Sequence, residues 1–119
     1  MKLMVVDDSN IMRRAISQYL TGFRLDLVGS AGDGREALEM FNKFLPDVVT
    51  LDITMPEIDG LQCLEEMLKV KPETKVIVIS ALADEPTALK ALKLGARAFL
   101  NKPFTEESLQ EAFREMLEE

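Results

Sequence analysis

Apolar residues in this chain fall into two alternating kinds of run. Short compact ones, Leu3–Val6, Val48–Leu51 and Val76–Ile79, each stop at a polar residue, and longer ones repeat every three or four residues. A compact run bounded by breakers marks a strand buried on both faces, whereas the longer period marks a helix with one buried stripe. The first run ends in Asp7-Asp8-Ser9. Ile11, Met12, Ala15, Ile16, Tyr19 and Leu20 then predict a first helix that closes near Gly22. Leu25–Ser30 reads as a weaker second strand and Gly32-Asp33-Gly34 as a turn. Ala37, Leu38, Phe41, Phe44 and Leu45 form the stripe of a second helix, stopped by Pro46.

The third strand, Val48–Leu51, ends in Asp52 and a loop marked by Pro56 and Gly60. Leu61, Leu64, Met67 and Leu68 predict a third helix, closed at Lys71-Pro72. The β-branched run Val76–Ile79 ends in Ser80. Asp84-Glu85-Pro86 suits a helix start, because acids favour the positive end of the dipole and proline lacks an amide that would go unused there. Leu89 and Leu92 carry this fourth helix to Gly95, and Ala96–Leu100 forms a short fifth strand before Asn101-Lys102-Pro103. Thr105 to Ser108 have the chemistry of a helix cap, ahead of a stripe at Leu109, Ala112, Phe113, Met116 and Leu117. Strict alternation of strand and helix predicts an α/β fold, a five-stranded parallel sheet flanked by five helices. The expected strand order is 2-1-3-4-5, the flavodoxin-like doubly wound arrangement, in a single domain over residues 1–119.

Composition narrows the chemistry. With 119 residues, 47% apolar and 29% charged, the chain can bury a core without disulfides or a structural metal. A net charge of −7 disfavours binding nucleic acid through its phosphates and favours cationic partners or metal ions. No histidine is present, so the commonest general base and the commonest transition-metal ligand are both missing, and a metal site would have to be built from oxygen. The lone Cys63 falls in a helical stripe and reads as a small packing residue, consistent with an intracellular setting. No apolar run reaches membrane-spanning length and no signal segment is evident, so a cytoplasmic protein is expected.

The polar residues that end the strands matter most. Asp7 and Asp8 follow the first strand, Asp52 the third, Ser80 the fourth and Lys102 the fifth. In a parallel sheet these positions share one edge, and the order 2-1-3-4-5 makes strands one and three neighbours at the switch point. Singly, Asp7 can be a helix N-cap, Asp52 a turn cap, Ser80 a turn residue and Lys102 a solvated charge. Jointly they give three carboxylates, a hydroxyl and an amine in one crevice. Such an acidic cluster is costly without a cation, and a hard divalent ion fits best: Mg²⁺ first, with Mn²⁺ as the alternative. Metal on one side and ammonium and hydroxyl on the other suit a phosphoryl group on Asp52 as nucleophile.

Asp7-Asp8-Ser9, Leu51-Asp52-Ile53-Thr54-Met55-Pro56, Asp59-Gly60, Ser80-Ala81, Gly95-Ala96 and Lys102-Pro103-Phe104 resemble the receiver domain of bacterial two-component response regulators, across essentially the whole chain. The resemblance implies that Asp52 accepts a phosphoryl group from a histidine kinase. It also implies that Asp8, Asp52 and the backbone carbonyl of Thr54 bind Mg²⁺, with Asp7 acting through a coordinated water. Lys102 and Ser80 would contact the phosphoryl oxygens. Phe99 matches the family's aromatic switch position, and the fourth helix, fifth strand and fifth helix would form the output face. Asp8 to Arg14 look like the first helix of chemotaxis-type receivers, and the chain stops just after its fifth helix. A stand-alone regulator of a flagellar-motor or signalling partner is therefore the leading expectation. The rival is a fragment of a larger regulator or a phosphorelay intermediate. Thr54 stands where small-molecule aspartyl-phosphate phosphohydrolases want an acid, and the acidic mouth would repel a flavin phosphate, so both readings fall behind. Leu82 and Thr54 are the variable positions expected to tune dephosphorylation. Apolar Leu82 cannot orient an attacking water, so Leu82→Glu should shorten the lifetime of the phosphorylated protein in a decay assay, whereas an unchanged rate rejects the idea.

Overall fold

Every apolar run becomes a strand and every periodic stripe a helix in the computed structural model, which describes residues 1–54, 60–81 and 85–118. The order is β1 (Lys2–Val6), α1 (Asn10–Tyr19), β2 (Asp26–Ala31), α2 (Gly34–Phe44), β3 (Val48–Asp52), α3 (Gly60–Val70), β4 (Lys75–Ser80), α4 (Glu85–Lys93), β5 (Ala98–Asn101) and α5 (Glu106–Leu117). The sheet runs β2-β1-β3-β4-β5 with all pairs parallel, the flavodoxin-like arrangement expected from the alternation. Met55, Pro56, Asp59, Leu82 and Asp84 lie outside the described residues.

Pleating sends alternate strand residues to opposite faces, and each face has its own core. Met4, Val6, Val49, Leu51, Val76 and Val78 pack with Phe41 of α2, Leu64 and Met67 of α3 and Ala91 of α4. Leu3, Val5, Val48, Ile77 and Ile79 pack on the other side with Ile16 and Leu20, and with Leu109, Phe113 and Met116 of α5. Cys63 is fully buried in the first of these clusters, as a packing residue would be. Away from the polar strand ends, Asp47 ties the opposite edge together. Its carboxylate accepts the Lys2 amide at 2.8 Å and the Lys71 ammonium at 3.0 Å, which holds its pKa below the usual carboxylate range.

Several expectations need correction. Leu89 and Leu92, whose spacing carries α4, are 56% and 45% exposed, and Ala91 is buried on that helix. Helical spacing identifies a stripe but not which stripe faces the sheet; here the small side chain lets the helix approach. Ile11 likewise points outward, at 82% exposure. The fifth strand begins at Ala98 rather than Ala96. Ala96 still donates its amide to Ala91 at the end of α4, after Gly95 has turned the chain at φ 113°. Leu45, expected within the second helix, is instead its left-handed cap at φ 47°.

Thr50 lies in the middle of β3 with neighbours Val5 and Ile77, fully buried, and its Oγ1 has no hydrogen-bond partner among the described residues. An unpaired buried hydroxyl costs roughly 1–3 kcal/mol. Thr50→Val keeps the shape and removes the group, so urea unfolding should show a gain on the order of 1 kcal/mol. A loss would mean that the hydroxyl has a partner.

Candidate functional site

The sheet register builds the site. Val6 pairs with Leu51, so Asp7 and Asp52 come next on neighbouring strands. Asp52 pairs with Ile79, one residue before Ser80, and Ser80 pairs with Asn101, one residue before Lys102. Backbone hydrogen bonds carry this alignment past the strand ends: Asp7 donates its amide to Ala31 at 3.0 Å, Ile53 to Ile79 at 3.1 Å and Lys102 to Ser80 at 2.8 Å. Four separate strands thus bring their terminal residues to one edge.

Lys102 is at the centre. Its Nζ donates to Asp7 Oδ2 and to Asp52 Oδ2, each at 2.9 Å. Both carboxylates are buried, Asp8 beside them is exposed, and oxygens of all three lie within 4.8 Å of one another. Burial alone would lower the Lys102 pKa, but hydrogen bonds and charge from Asp52 and Asp7 outweigh it and raise the ammonium above its ordinary range. For Asp7 the balance reverses. Burial pushes its carboxyl up further than the Ser9 amide, at 2.9 Å, and Lys102 pull it down.

Asp7 is not the cap of α1: Ser9 is, accepting the Met12 amide at 3.2 Å. Asp52 does cap a turn, since its Oδ1 accepts the Thr54 amide at 2.8 Å and the Thr54 hydroxyl at 2.5 Å, while Oδ2 faces Lys102. Ser80 is fully buried at the end of β4. Phe99 is partly buried on β5, opposite Val78 and packed on the core shared by α2, α3 and α4. Leu82 lies outside the described residues.

Sequence reasoning missed the supporting role of Arg13 and named Gly60 without the reason for it. Arg13 donates through its guanidinium to the Asp7 carbonyl and to Asn10 Oδ1. Its signal was a cation near a helix N-terminus, where the macrodipole disfavours positive charge. Gly60 opens α3 directly against Ile53; a Cβ there would lie 2.3 Å from Ile53 Cα, so glycine is required beside the nucleophile candidate.

The donor set suits a hard divalent cation. Three carboxylates and one ammonium leave a formal charge of −2, and among the described residues no histidine or cysteine joins them. Each carboxylate has about four lone-pair sites, so oxygens already bonded to Lys102 or a backbone amide retain capacity. An acid whose folded pKa is raised destabilises the fold progressively as pH climbs from its unfolded pKa through its folded one. Without metal at pH 7, Asp7→Asn should therefore raise the melting temperature by roughly a few degrees. The gain should shrink toward pH 3, and saturating Mg²⁺ should stabilise the wild type more than the variant. A variant less stable than wild type at pH 7 would contradict this.

Comparison with known proteins shows the family. The family profile of the response regulator receiver domain matches residues 3–114. The chemotaxis protein CheY of Thermotoga maritima is 36% identical over 115 residues, 97% of this chain and 96% of that protein. A protein-glutamate methylesterase/protein-glutamine glutaminase of Archaeoglobus fulgidus is 45% identical over 105 residues, 87% of this chain but 30% of that protein. Among solved structures, the CheX–CheY–BeF3–Mg²⁺ complex from Borrelia burgdorferi contains a chain that superposes with a TM-score of 0.93 at 31% identity, covering 98% of this chain and 89% of that one. The chain belongs to the response regulator receiver family, and its receiver is of the CheY type.

Proposed function

We propose that this receiver is a Mg²⁺-dependent phosphorylation switch whose phosphoacceptor is Asp52. The observation that carries the reading is the Lys102 ammonium held 2.9 Å from both Asp52 and Asp7, a cation already aimed at the oxygen that would be phosphorylated. Asp52 Oδ2 attacks phosphorus on the phosphohistidine of a histidine kinase. The O–P bond forms as the P–N bond breaks, and the imidazole nitrogen keeps the electron pair. Lys102 follows the charge from the carboxylate to the phosphoryl oxygens, and the Ser80 hydroxyl donates to another of them. Asp8, Asp52 and the Thr54 carbonyl would hold Mg²⁺, with Asp7 reached through water. The ion supplies charge neutralisation for the entering phosphoryl group. The similar CheY chain from Borrelia burgdorferi was solved in a complex with BeF3 and Mg²⁺, which supports a metal-dependent reading.

Phosphorylation adds roughly −1.5 to −2 charges and new acceptor oxygens at the strand ends. Drawing Ser80 toward them shifts the end of β4, and Phe99, on the adjacent strand, turns further into the space released. The surface of α4, β5 and α5 then changes. It already exposes Leu89 and Leu92, the apolar contacts that a partner needs. Inverting a 1:99 equilibrium takes about 5.5 kcal/mol, within reach of several charge-assisted hydrogen bonds at roughly 1.5–3 kcal/mol each. The output is a protein partner of chemotaxis type, such as a flagellar motor switch component. The match to about a third of a longer methylesterase favours a second reading, in which the same switch controls a domain on its own chain.

Incubation with Mg²⁺ and acetyl phosphate followed by intact-mass measurement tests the switch. Wild type should gain one phosphoryl group, and both Asp52→Asn and metal chelation should abolish the gain. An unmodified wild-type mass under these conditions would overturn the reading.

A further inference from the structure

Outside the phosphoacceptor site, the side chains that most invite a ligand surround a pocket of about 300 Å³ between α1 and the edge strand β2. Asn10, Arg13, Arg14, Ser17, Leu27 and Ser30 line it. We propose that this pocket binds a small organic phosphate, a phosphate monoester with a short hydroxylated body. Its volume lies at the lower end of ligand pockets, roughly 300–1,000 Å³.

Charge comes first. The chain carries a net charge of −7, yet this concavity is lined by two guanidiniums and no acid. Two solvated surface arginines would be the ordinary explanation, but Arg13 is held in place. It is fixed by the Asp7 carbonyl and Asn10 Oδ1, and it fits beside Gly32, where a Cβ would lie 3.1 Å from Nη1. Those two bonds use two of its five N–H groups, and the others remain for a ligand. A guanidinium whose rotamers are already restricted loses less entropy on binding than a free one, and its planar fork matches an oxyanion.

The remaining groups distinguish an ester from a bare anion. Asn10 presents its amide to Arg13 through oxygen, which leaves the NH₂ as a donor. Ser17 spends its hydroxyl proton on the Arg13 carbonyl at 2.9 Å, so toward a ligand it can only accept. An acceptor repels phosphate oxygens and suits a ligand hydroxyl, and half-exposed Leu27 offers a wall for carbon. Donors thus gather around Arg13, while an acceptor and an apolar wall complete the pocket.

This inference does not rest on phosphorylation of Asp52, and its test reads binding directly. The uniformly ¹⁵N-labelled full chain, free of Mg²⁺, is titrated with glycerol 3-phosphate and separately with inorganic phosphate, following backbone amides by NMR. Glycerol 3-phosphate should produce saturable shifts at Arg14, Ser17 and Ser30. It should bind several-fold tighter than inorganic phosphate and weaken about tenfold in Arg14→Gln, whose exposed site leaves folding intact. Absence of saturable shifts at those amides, unchanged affinity in Arg14→Gln, or equal affinity for inorganic phosphate would each overturn the proposal. Shifts confined to Asp8, Thr54 and Lys102 would assign the anion to the phosphoacceptor site and overturn it as well.

Discussion

One ammonium joins the ends of three strands. Lys102 leaves β5 and reaches past β4 to carboxylates that follow β1 and terminate β3, 95 and 50 residues away in sequence. Without it, Asp7 and Asp52 would be two buried like charges supported, among the described residues, by the Ser9 and Thr54 amides and the Thr54 hydroxyl. The arrangement is therefore conditional on the register of the whole sheet. Shifting any one of these strands by a residue would turn its terminal side chain to the other face and leave the others uncompensated. The main-chain bonds from Asp7 to Ala31, Ile53 to Ile79 and Lys102 to Ser80 extend the ladder by one step at the edge where the charges are gathered.

The architecture was legible because strands buried on both faces leave little choice of residue. Val76 to Ile79 can hardly be anything but a central strand, and the polar residue that ends each run marks where the buried path stops. Asp7, Asp8, Asp52 and Lys102 could be grouped because a parallel sheet puts all such ends on one edge, and the structure brings those four together. What could not be read was orientation within a stripe. Leu89 and Leu92 have helical spacing, yet Ala91 faces the sheet, because fit against β-strands depends on side-chain size as well as on hydrophobicity.

Supporting residues were less legible than the chemical groups they support. Gly60 stands out in sequence as the end of the loop after Asp52, but only the approach of Ile53 to within 2.3 Å of its absent Cβ shows why it is obligatory. Arg13 looks like a solvated helix charge until its hydrogen bond to the Asp7 carbonyl is seen. Thr54 stands out in sequence for its carbonyl and as a position expected to tune dephosphorylation, but its amide and hydroxyl both donate to Asp52 Oδ1 and hold that carboxylate. Each contact is local in sequence, two to seven residues apart, yet it depends on how the loop after a strand folds back, which hydrophobic periodicity does not encode.

The exposed leucines of α4 have a colloidal consequence. Leu89 and Leu92, held in water on α4, are presented to every other copy of the protein. Its net charge of −7 supplies a long-range repulsion that acts before two such patches can touch. That protection is screened by salt, with a range of about 8 Å at physiological ionic strength. The acidic surface thus keeps copies of a sticky face apart in a crowded solution.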